Sequence, residues 1–166
     1  MNILDKIIVH KKKEVEERIA RVPVKELEKS AAFSAPVVSL KKALLGEEKS
    51  GIIAEFKRKS PSKGMINKDA SAAMVTAGYV QAGASALSIL TDTEFFGGSN
   101  EDLIAARKQA GIPILRKEFI VDEYQIVEAK SIGADVILLL ANVLTAMEIK
   151  QFTTTAKFLG MEVLME

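Results

Sequence analysis

From Gly51 onward, short apolar runs alternate with longer helical stretches, and this alternation most constrains the fold. The runs are nearly all apolar, a pattern typical of parallel strands buried on both faces. Their starts recur roughly every 20 to 35 residues, the period of a βα unit. We therefore predict an α/β fold with a parallel sheet. The predicted strands cover residues 52–56, 86–91, 112–116, 135–141 and 163–166, and the predicted helices cover 70–82, 100–109, 122–131 and 145–159.

The first 50 residues show no convincing strand. Residues 2–21 are predicted to form a helix, because isoleucine, leucine and valine recur at helical spacing until Pro23 ends the pattern. Two shorter helical pieces are predicted near 24–31 and 39–45. His10, the only histidine, is expected to be solvated on the first helix. We expect residues 1–50 to form a helical extension and residues 51–166 to form the βα units.

Two α/β architectures compete for this pattern. A doubly wound sheet usually carries a glycine-rich phosphate turn after its first strand. Here that turn reads KRKSPSKG and contains neither GxGxxG nor GxxxxGK[ST]. Charged groups instead follow several successive strands, which is typical of a (β/α)8 TIM barrel. Such a barrel needs about 250 residues, so we expect an incomplete barrel that ends at its fifth strand.

Composition excludes several kinds of site. The net charge is only +1, so no general attraction to nucleic acid or to an anionic membrane is expected. The chain has no cysteine, which rules out disulfides and thiolate chemistry. No cluster of histidine with carboxylates suggests a metal. The longest apolar run, residues 136–141, is too short to cross a bilayer. The N-terminus lacks the apolar segment of a signal peptide, so we expect a cytoplasmic protein.

The first predicted strand, in GIIAEFKRKSPSKG, carries a carboxylate and an ammonium two residues apart. Residues two apart on a strand share a face. Ile53, Glu55 and Lys57 therefore share one face, while Ile52, Ala54 and Phe56 share the other. If the apolar set packs under helices, the charges point into the barrel and need a partner or a use. A surface ion pair at the end of the strand is the alternative.

Lys117 follows the third predicted strand in PILRKEFIV. One interpretation is a lysine desolvated by its apolar neighbours, with a lowered pKa, that acts as a general acid or forms a Schiff base. The other is that residues 116–118 form a solvated loop. Strand parity alone does not tell which of the three points inward. Glu166, at the end of VLME, is either a solvated strand end or the acid that faces both lysines across a barrel mouth.

Two loops are candidates for binding. The turn from Ser60 to Gly64 is rich in hydrogen-bond donors and could hold a carboxylate or a phosphate, or be a plain loop. Phe95 and Phe96, followed by two glycines, could stack on a planar substrate or simply pack the loop down.

These segments together resemble the indole-3-glycerol-phosphate synthase family. The resemblance covers essentially the whole chain, and Glu118 stands where the family more often has aspartate. It rests on IIAEFKRKSPSKG, ALSILTDTEFFGGSNEDL, PILRKEFIVDEYQI and VLME.

The resemblance implies a carboxy-lyase of tryptophan biosynthesis, a TIM barrel with an N-terminal helical extension. Its reaction closes the ring of 1-(2-carboxyphenylamino)-1-deoxyribulose 5-phosphate, with loss of CO2 and water. The implied catalytic groups are Lys117 as general acid, Glu166 and Lys57 in dehydration, and Glu55 orienting the lysines. The implied substrate-binding residues are Ser60, Phe96 and Phe119. The family needs no cofactor or metal, and its only partner here is the phosphorylated small molecule.

The family continues through three further strands, which supply another acid and the phosphate site. We therefore expect the 166-residue chain alone to be inactive or nearly so. Open edges on its first and fifth strands are expected to favour self-association. Two other interpretations stay open, namely a non-catalytic fragment that associates through those edges and a lysine Schiff-base aldolase on the same fold.

Overall fold

Three helices precede the first strand in the computed structural model, which describes residues 2–166. They are α1 (Ile3–Arg21), α2 (Val24–Leu27) and α3 (Leu40–Leu45). Helix α1 begins with a capping box, in which Asn2 and Asp5 each accept the other's backbone N–H at 2.9 Å. The predicted helices of the first 50 residues are therefore present, with the second one shorter than expected.

A five-stranded parallel sheet and its helices form the rest of the chain. The strands Ile53–Phe56, Ala86–Leu90, Ile114–Lys117, Val136–Leu139 and Glu162–Met165 lie side by side in chain order, and each pairs in parallel with its neighbour. A doubly wound sheet would reverse its order at a switch point, so this order is that of a partial TIM barrel. The elements are β1 (Ile53–Phe56), β2 (Lys59–Ser60), β3 (Gly64–Met65), α4 (Ala72–Gln81), β4 (Ala86–Leu90), α5 (Asn100–Gln109), β5 (Ile114–Lys117), α6 (Tyr124–Ser131), β6 (Val136–Leu139), α7 (Ala146–Phe158) and β7 (Glu162–Met165).

Alternate residues of each strand enter two different apolar clusters. On the outer face, Leu87 and Ile89 of β4 pack with residues of the surrounding helices, such as Leu103 and Ile126. On the inner face lie Ile53, Ala86, Leu115, Val136, Leu138 and Leu164, with Leu40 of α3 packed against them. Both faces are apolar, which explains why the strands read as nearly continuous apolar runs.

The structure differs from the expected pattern in two places. Ile52 was expected on the outer face, but it precedes β1 and is 58% exposed. The predicted turn from Ser60 to Gly64 is flanked by two short strands that were not predicted, since β2 and β3 form a two-stranded antiparallel hairpin around it.

Strands β1 and β7 each pair with a single strand among residues 2–166. Within that range, no helix has the length and apolar character needed to span a membrane.

Candidate active site

A cleft of about 260 Å³ opens at the C-terminal ends of the parallel strands. Polar and aromatic side chains from four of the five parallel strands, or from the loops that follow them, contribute to its wall. Six of the seven side chains predicted as catalytic or substrate-binding are among them. The lining residues are Glu55, Lys57, Leu90, Phe96, Lys117, Glu118, Phe119, Leu138, Leu140 and Glu166.

Strand β1 aims Glu55 and Lys57 into this cleft. Phe56 between them is 3% exposed and packs on the outer face, so strand alternation turns the two charged residues inward. Lys57 Nζ lies 3.3 Å from Glu55 Oε1, and Ser88 Oγ donates to Glu55 Oε2 at 3.2 Å. The second carboxylate oxygen is thus held by β4 while the first faces Lys57.

Lys117 is the inward-pointing residue of the RKE sequence. It is the last residue of β5, rather than a residue beyond the strand. It lies two residues after Leu115 and therefore on the same, inner face of β5. Its Nζ donates to Glu166 Oε2 at 3.1 Å. The side chain of Lys117 keeps 30% of its surface exposed, so the full desolvation expected from its apolar neighbours is absent. Arg116 points the other way and is completely buried.

The two aromatic residues after β4 diverge. The Phe96 ring lies 5.9 Å from the Phe119 ring, tilted by 40°, and together they form an aromatic wall of the cleft. Phe95 turns away and meets the edge of His10, with ring centroids 5.6 Å apart. His10 is exposed, as predicted, but it also contacts this loop. Only one of the pair is therefore available to a ligand in the cleft.

Ser60 is the predicted site residue that the structure leaves outside the cleft lining. It belongs to β2 and is 7% exposed. Its Oγ accepts the Lys63 N–H at 3.2 Å and lies 3.4 Å from Ser62 Oγ. The serine hydroxyl is thus engaged within the hairpin.

Lys11 is a charged residue that the sequence did not mark. It is completely buried on α1, with Nζ 3.0 Å from Glu118 Oε1 and 2.9 Å from Asp92 Oδ2. A signal for its burial was present, because Lys11 follows Ile7 by four residues and precedes Val15 by four, on the same helical stripe. Its carboxylate partners come from distant segments, and no local pattern connects them.

Burial and charge oppose each other in this part of the structure. Burial alone lowers the pKa of the Lys11 ammonium, but the carboxylates of Glu118 and Asp92 outweigh it and raise the pKa above its ordinary value. Burial alone raises the pKa of Glu128, but Arg116 and Arg18 outweigh it and hold that pKa below the usual value. Both groups are therefore charged at neutral pH.

A larger cavity, of about 460 Å³, lies at the N-terminal ends of β5 and β6. Its two cations already bind protein atoms. Lys130 Nζ donates to the Ala35 carbonyl at 2.7 Å, and Arg107 pairs with Asp135 at 2.6 Å. Among residues 2–166, no group of three or more histidine, aspartate or glutamate side chains is placed so that it could hold a metal ion.

Comparison with known proteins gives the same family that the sequence segments resemble. The family model described as indole-3-glycerol phosphate synthase matches residues 4–166. This chain belongs to the indole-3-glycerol phosphate synthase family.

Curated members of the indole-3-glycerol phosphate synthase family are similar along almost all of this chain. The protein of that name from Bacteroides thetaiotaomicron is 45% identical over 165 residues, covering 99% of this chain and 63% of the relative. The one from Alkaliphilus metalliredigens is 43% identical over 164 residues, with 99% and 63% covered. The one from Neisseria meningitidis serogroup B is 42% identical over 168 residues, with 99% and 65% covered. The chain thus spans just under two thirds of the length of these relatives.

Proposed function

We propose that the cleft catalyses the indole-3-glycerol-phosphate synthase reaction, as a carbon–carbon lyase of tryptophan biosynthesis. The substrate is 1-(2-carboxyphenylamino)-1-deoxyribulose 5-phosphate, whose ring closure releases CO2 and water. The observation that carries the proposal is the inward-pointing Lys117, 3.1 Å from Glu166 and in one cleft with the Glu55–Lys57 pair. The two lysines of the cleft, together with Glu55 and Glu166, supply the proton donors and acceptors that this reaction needs.

Lys117 acts as the general acid of ring closure. As the carboxylate-bearing ring carbon attacks the sugar carbonyl, negative charge grows on the carbonyl oxygen. An ammonium at the mouth of β5 can donate a proton to that oxygen, and Glu166 at 3.1 Å holds the ammonium in place. Loss of CO2 from the attacking ring carbon then returns its bonding electrons to the ring and restores aromaticity.

Dehydration uses an acid and a base at the same mouth. Glu166 and Lys57 are the two groups in position, because the cleft wall includes both. Lys57 also provides a positive charge for the substrate carboxylate, and Glu55 orients that lysine through the 3.3 Å contact. The hydroxyl leaves as water after the acid protonates it. The base removes a proton from the new ring, and this removal completes the pyrrole.

The aromatic wall of Phe96 and Phe119 is proposed to bind the carboxyphenyl ring of the substrate. Tilted rings 5.9 Å apart offer a flat, apolar surface beside the charged groups. Ser60 is proposed to bind substrate as well, with its O–H as the donor, while its Oγ keeps accepting the Lys63 N–H.

We place residues 1–50 in a helical extension and 51–166 in the first five βα units, and we place the protein in the cytoplasm with its charged metabolite substrate. Neither a cofactor nor a nucleic-acid or membrane partner belongs to the proposal.

Self-association through β1 and β7 belongs to the proposal, because each of these strands leaves one row of backbone groups without a strand partner in residues 2–166. Light scattering tests it, and a clean monomer would count against it.

Turnover is the test of the proposed activity. We expect the 166-residue chain alone to be inactive or nearly so, because it spans only 63–65% of its relatives. The test therefore also uses a chimera. In it, this chain replaces the matching 63% of the Bacteroides protein, and the unmatched part of that protein is kept in its own position. This chimera should form the indole product, detected by its fluorescence. Absence of product from the chimera would contradict the proposed activity. Near-normal turnover by the 166-residue chain alone would contradict its expected inactivity.

Lys117→Met in the chimera should lower turnover by about 10²- to 10⁴-fold, the usual contribution of a general acid. Lys108→Met, at an exposed lysine of α5, is the matched control and should leave turnover unchanged. Borohydride separates this mechanism from a Schiff-base aldolase. Trapping of a keto-sugar phosphate on Lys117 would favour the aldolase over the synthase.

A further inference from the structure

The ion pairs around Lys11 form a closed circuit that joins the N-terminal helix to the loops of the cleft. Each member contacts the next through a hydrogen bond or an ion pair. All members except Glu14 and Arg18 are nearly or completely buried. The circuit runs through Lys11, Glu118, Thr91, Arg116, Glu128, Arg18 and Glu14, and returns from Glu14 to Lys11.

Two carboxylates in this region hold the backbone of the cleft aromatics. Asp92 Oδ1 accepts the N–H of Phe95 at 2.7 Å and that of Phe96 at 3.1 Å. Glu118 Oε1 accepts the N–H of Phe119 at 2.8 Å. These bonds fix the backbone positions from which the Phe96 and Phe119 side chains extend.

Lys11 binds both of those carboxylates at once. Its Nζ lies 3.0 Å from Glu118 Oε1 and 2.9 Å from Asp92 Oδ2. Both contacts are ion pairs, and Asp92 Oδ2 has no hydrogen-bond partner among residues 2–166. One ammonium therefore ties the loop after β4 to the loop after β5.

We infer that Lys11 is a positioning residue, which sets the separation of Phe96 and Phe119 by clamping Asp92 and Glu118. The inference rests on the proposed function, because it assigns these aromatics to the substrate-binding wall. It gives the N-terminal helix a task at the cleft, although Lys11 does not line the cleft itself.

Electrostatics explains why the clamp is needed. The side chains of Asp92 and Glu118 are both fully buried, so water screens their mutual repulsion poorly. Without the ammonium, two carboxylates would share a dry space with one positive charge fewer, and the loops that carry them would separate. Breaking a buried pair by removing one partner leaves such an uncompensated charge.

Hydrogen exchange on the 166-residue chain tests the inference without requiring activity. Lys11→Met should speed exchange at the amides of Phe95, Phe96 and Phe119 by about tenfold or more beyond any change at the core of β6. Lys12→Met removes an exposed lysine from the same helix and should change none of these amides. If the three amides speed up only as much as β6, Lys11 has a merely structural role and the inference is overturned.

A second variant keeps the charge balance if the first one folds poorly. Lys11→Met with Asp92→Asn removes one charge of each sign, and the Asn oxygen can still accept the Phe95 and Phe96 amides. Exchange should then rise at Phe119 and stay near wild type at the other two. Equal changes at all three amides would contradict the clamp, and failure of both variants to fold would assign Lys11 to the global fold instead.

Binding separates this inference from the proposed function. Anthranilate is titrated into the wild-type chain and Lys11→Met by its own fluorescence, and the variant should bind at least about tenfold more weakly, since the wall is displaced. If anthranilate binds to neither protein while the exchange pattern appears, the proposed function loses support and the clamp stands. Equal binding to both, with unchanged exchange, would overturn the clamp alone.

Discussion

Lys117 Nζ and Glu166 Oε2 lie 3.1 Å apart, although strand β6 separates the two strands that carry these residues. The contact spans the mouth of the sheet above the apolar inner face. Both side chains retain solvent access, at 30% and 62% exposed. The pair proposed to be catalytic thus has the exposure of an ordinary surface ion pair.

That exposure predicts a separation of function from stability. Lys117→Met should change the free energy of unfolding of the 166-residue chain by less than about 1 kcal/mol, because exposed ion pairs contribute little. Urea denaturation measures it, alongside the large loss of turnover expected in the chimera. A destabilisation of several kcal/mol would mean that Lys117 supports the fold rather than the chemistry.

The buried arginine of β5 should behave in the opposite way. Arg116 is completely buried and pairs with Glu128 at 2.6 Å, so Arg116→Met leaves a buried carboxylate with one partner fewer. We expect a cost of about 3–5 kcal/mol in unfolding free energy. Arg21→Met is the matched control, since Arg21 is 76% exposed and its pair with Glu17 is 3.5 Å long. Its effect should stay below about 0.5 kcal/mol.

Acid should weaken the Arg116–Glu128 pair. The folded-state pKa of Glu128 lies below its ordinary value of 4.5, so its stabilisation is present above 4.5 and is lost as the pH falls through the folded-state pKa. The difference in unfolding free energy between wild type and Glu128→Gln should therefore be constant near neutrality and narrow in acid. Urea titrations from about pH 7 to about pH 3 measure it. A difference that does not change over that range would contradict the assignment.

Gly98 should tolerate no side chain. A Cβ built there would overlap the Leu90 carbonyl oxygen and lie 2.6 Å from the Leu90 carbonyl carbon, and both atoms belong to the backbone of β4. Gly98→Ala should cost about 1–3 kcal/mol, the usual range for overpacking. Gly78→Ala, within α4 with no atom within 4 Å of the new Cβ, should stabilise by about 0.5–1 kcal/mol. Thermal or urea unfolding of both variants makes the comparison, which fails if the two changes have the same sign.

The aromatic wall predicts a loss of binding without a loss of fold. Phe119→Leu keeps an apolar side chain but removes the ring that faces Phe96 at 5.9 Å. Aromatic contacts contribute about 0.5–1.5 kcal/mol beyond buried area, so anthranilate should bind roughly three- to tenfold more weakly. Phe158→Leu is the control, because Phe158 is 88% exposed on α7. Unchanged affinity in Phe119→Leu would remove the wall from the site.

Local periodicity was enough to predict much of the architecture. Every strand and helix predicted from residue 51 onward is present, with boundaries within two residues. The inward direction of Glu55 and Lys57 followed from strand alternation, because Phe56 between them is plainly apolar. Strand alternation was less informative at residues 116–118, because three charged residues in a row do not reveal which of them shares a face with Leu115.

What the sequence by itself determined was the order of elements, the parallel sheet and the inner-face pair of β1, since these depend on neighbours along the chain. Only the tertiary structure decided the fate of charges whose partners lie far away. Lys11 reads as one lysine among several, yet Asp92 and Glu118 bury it completely. Ser60 reads as a free donor in a turn, yet it is only 7% exposed and its Oγ accepts the Lys63 N–H. The physical reason is that an ion pair or a hydrogen bond is set by distance in space, and no local pattern carries that distance.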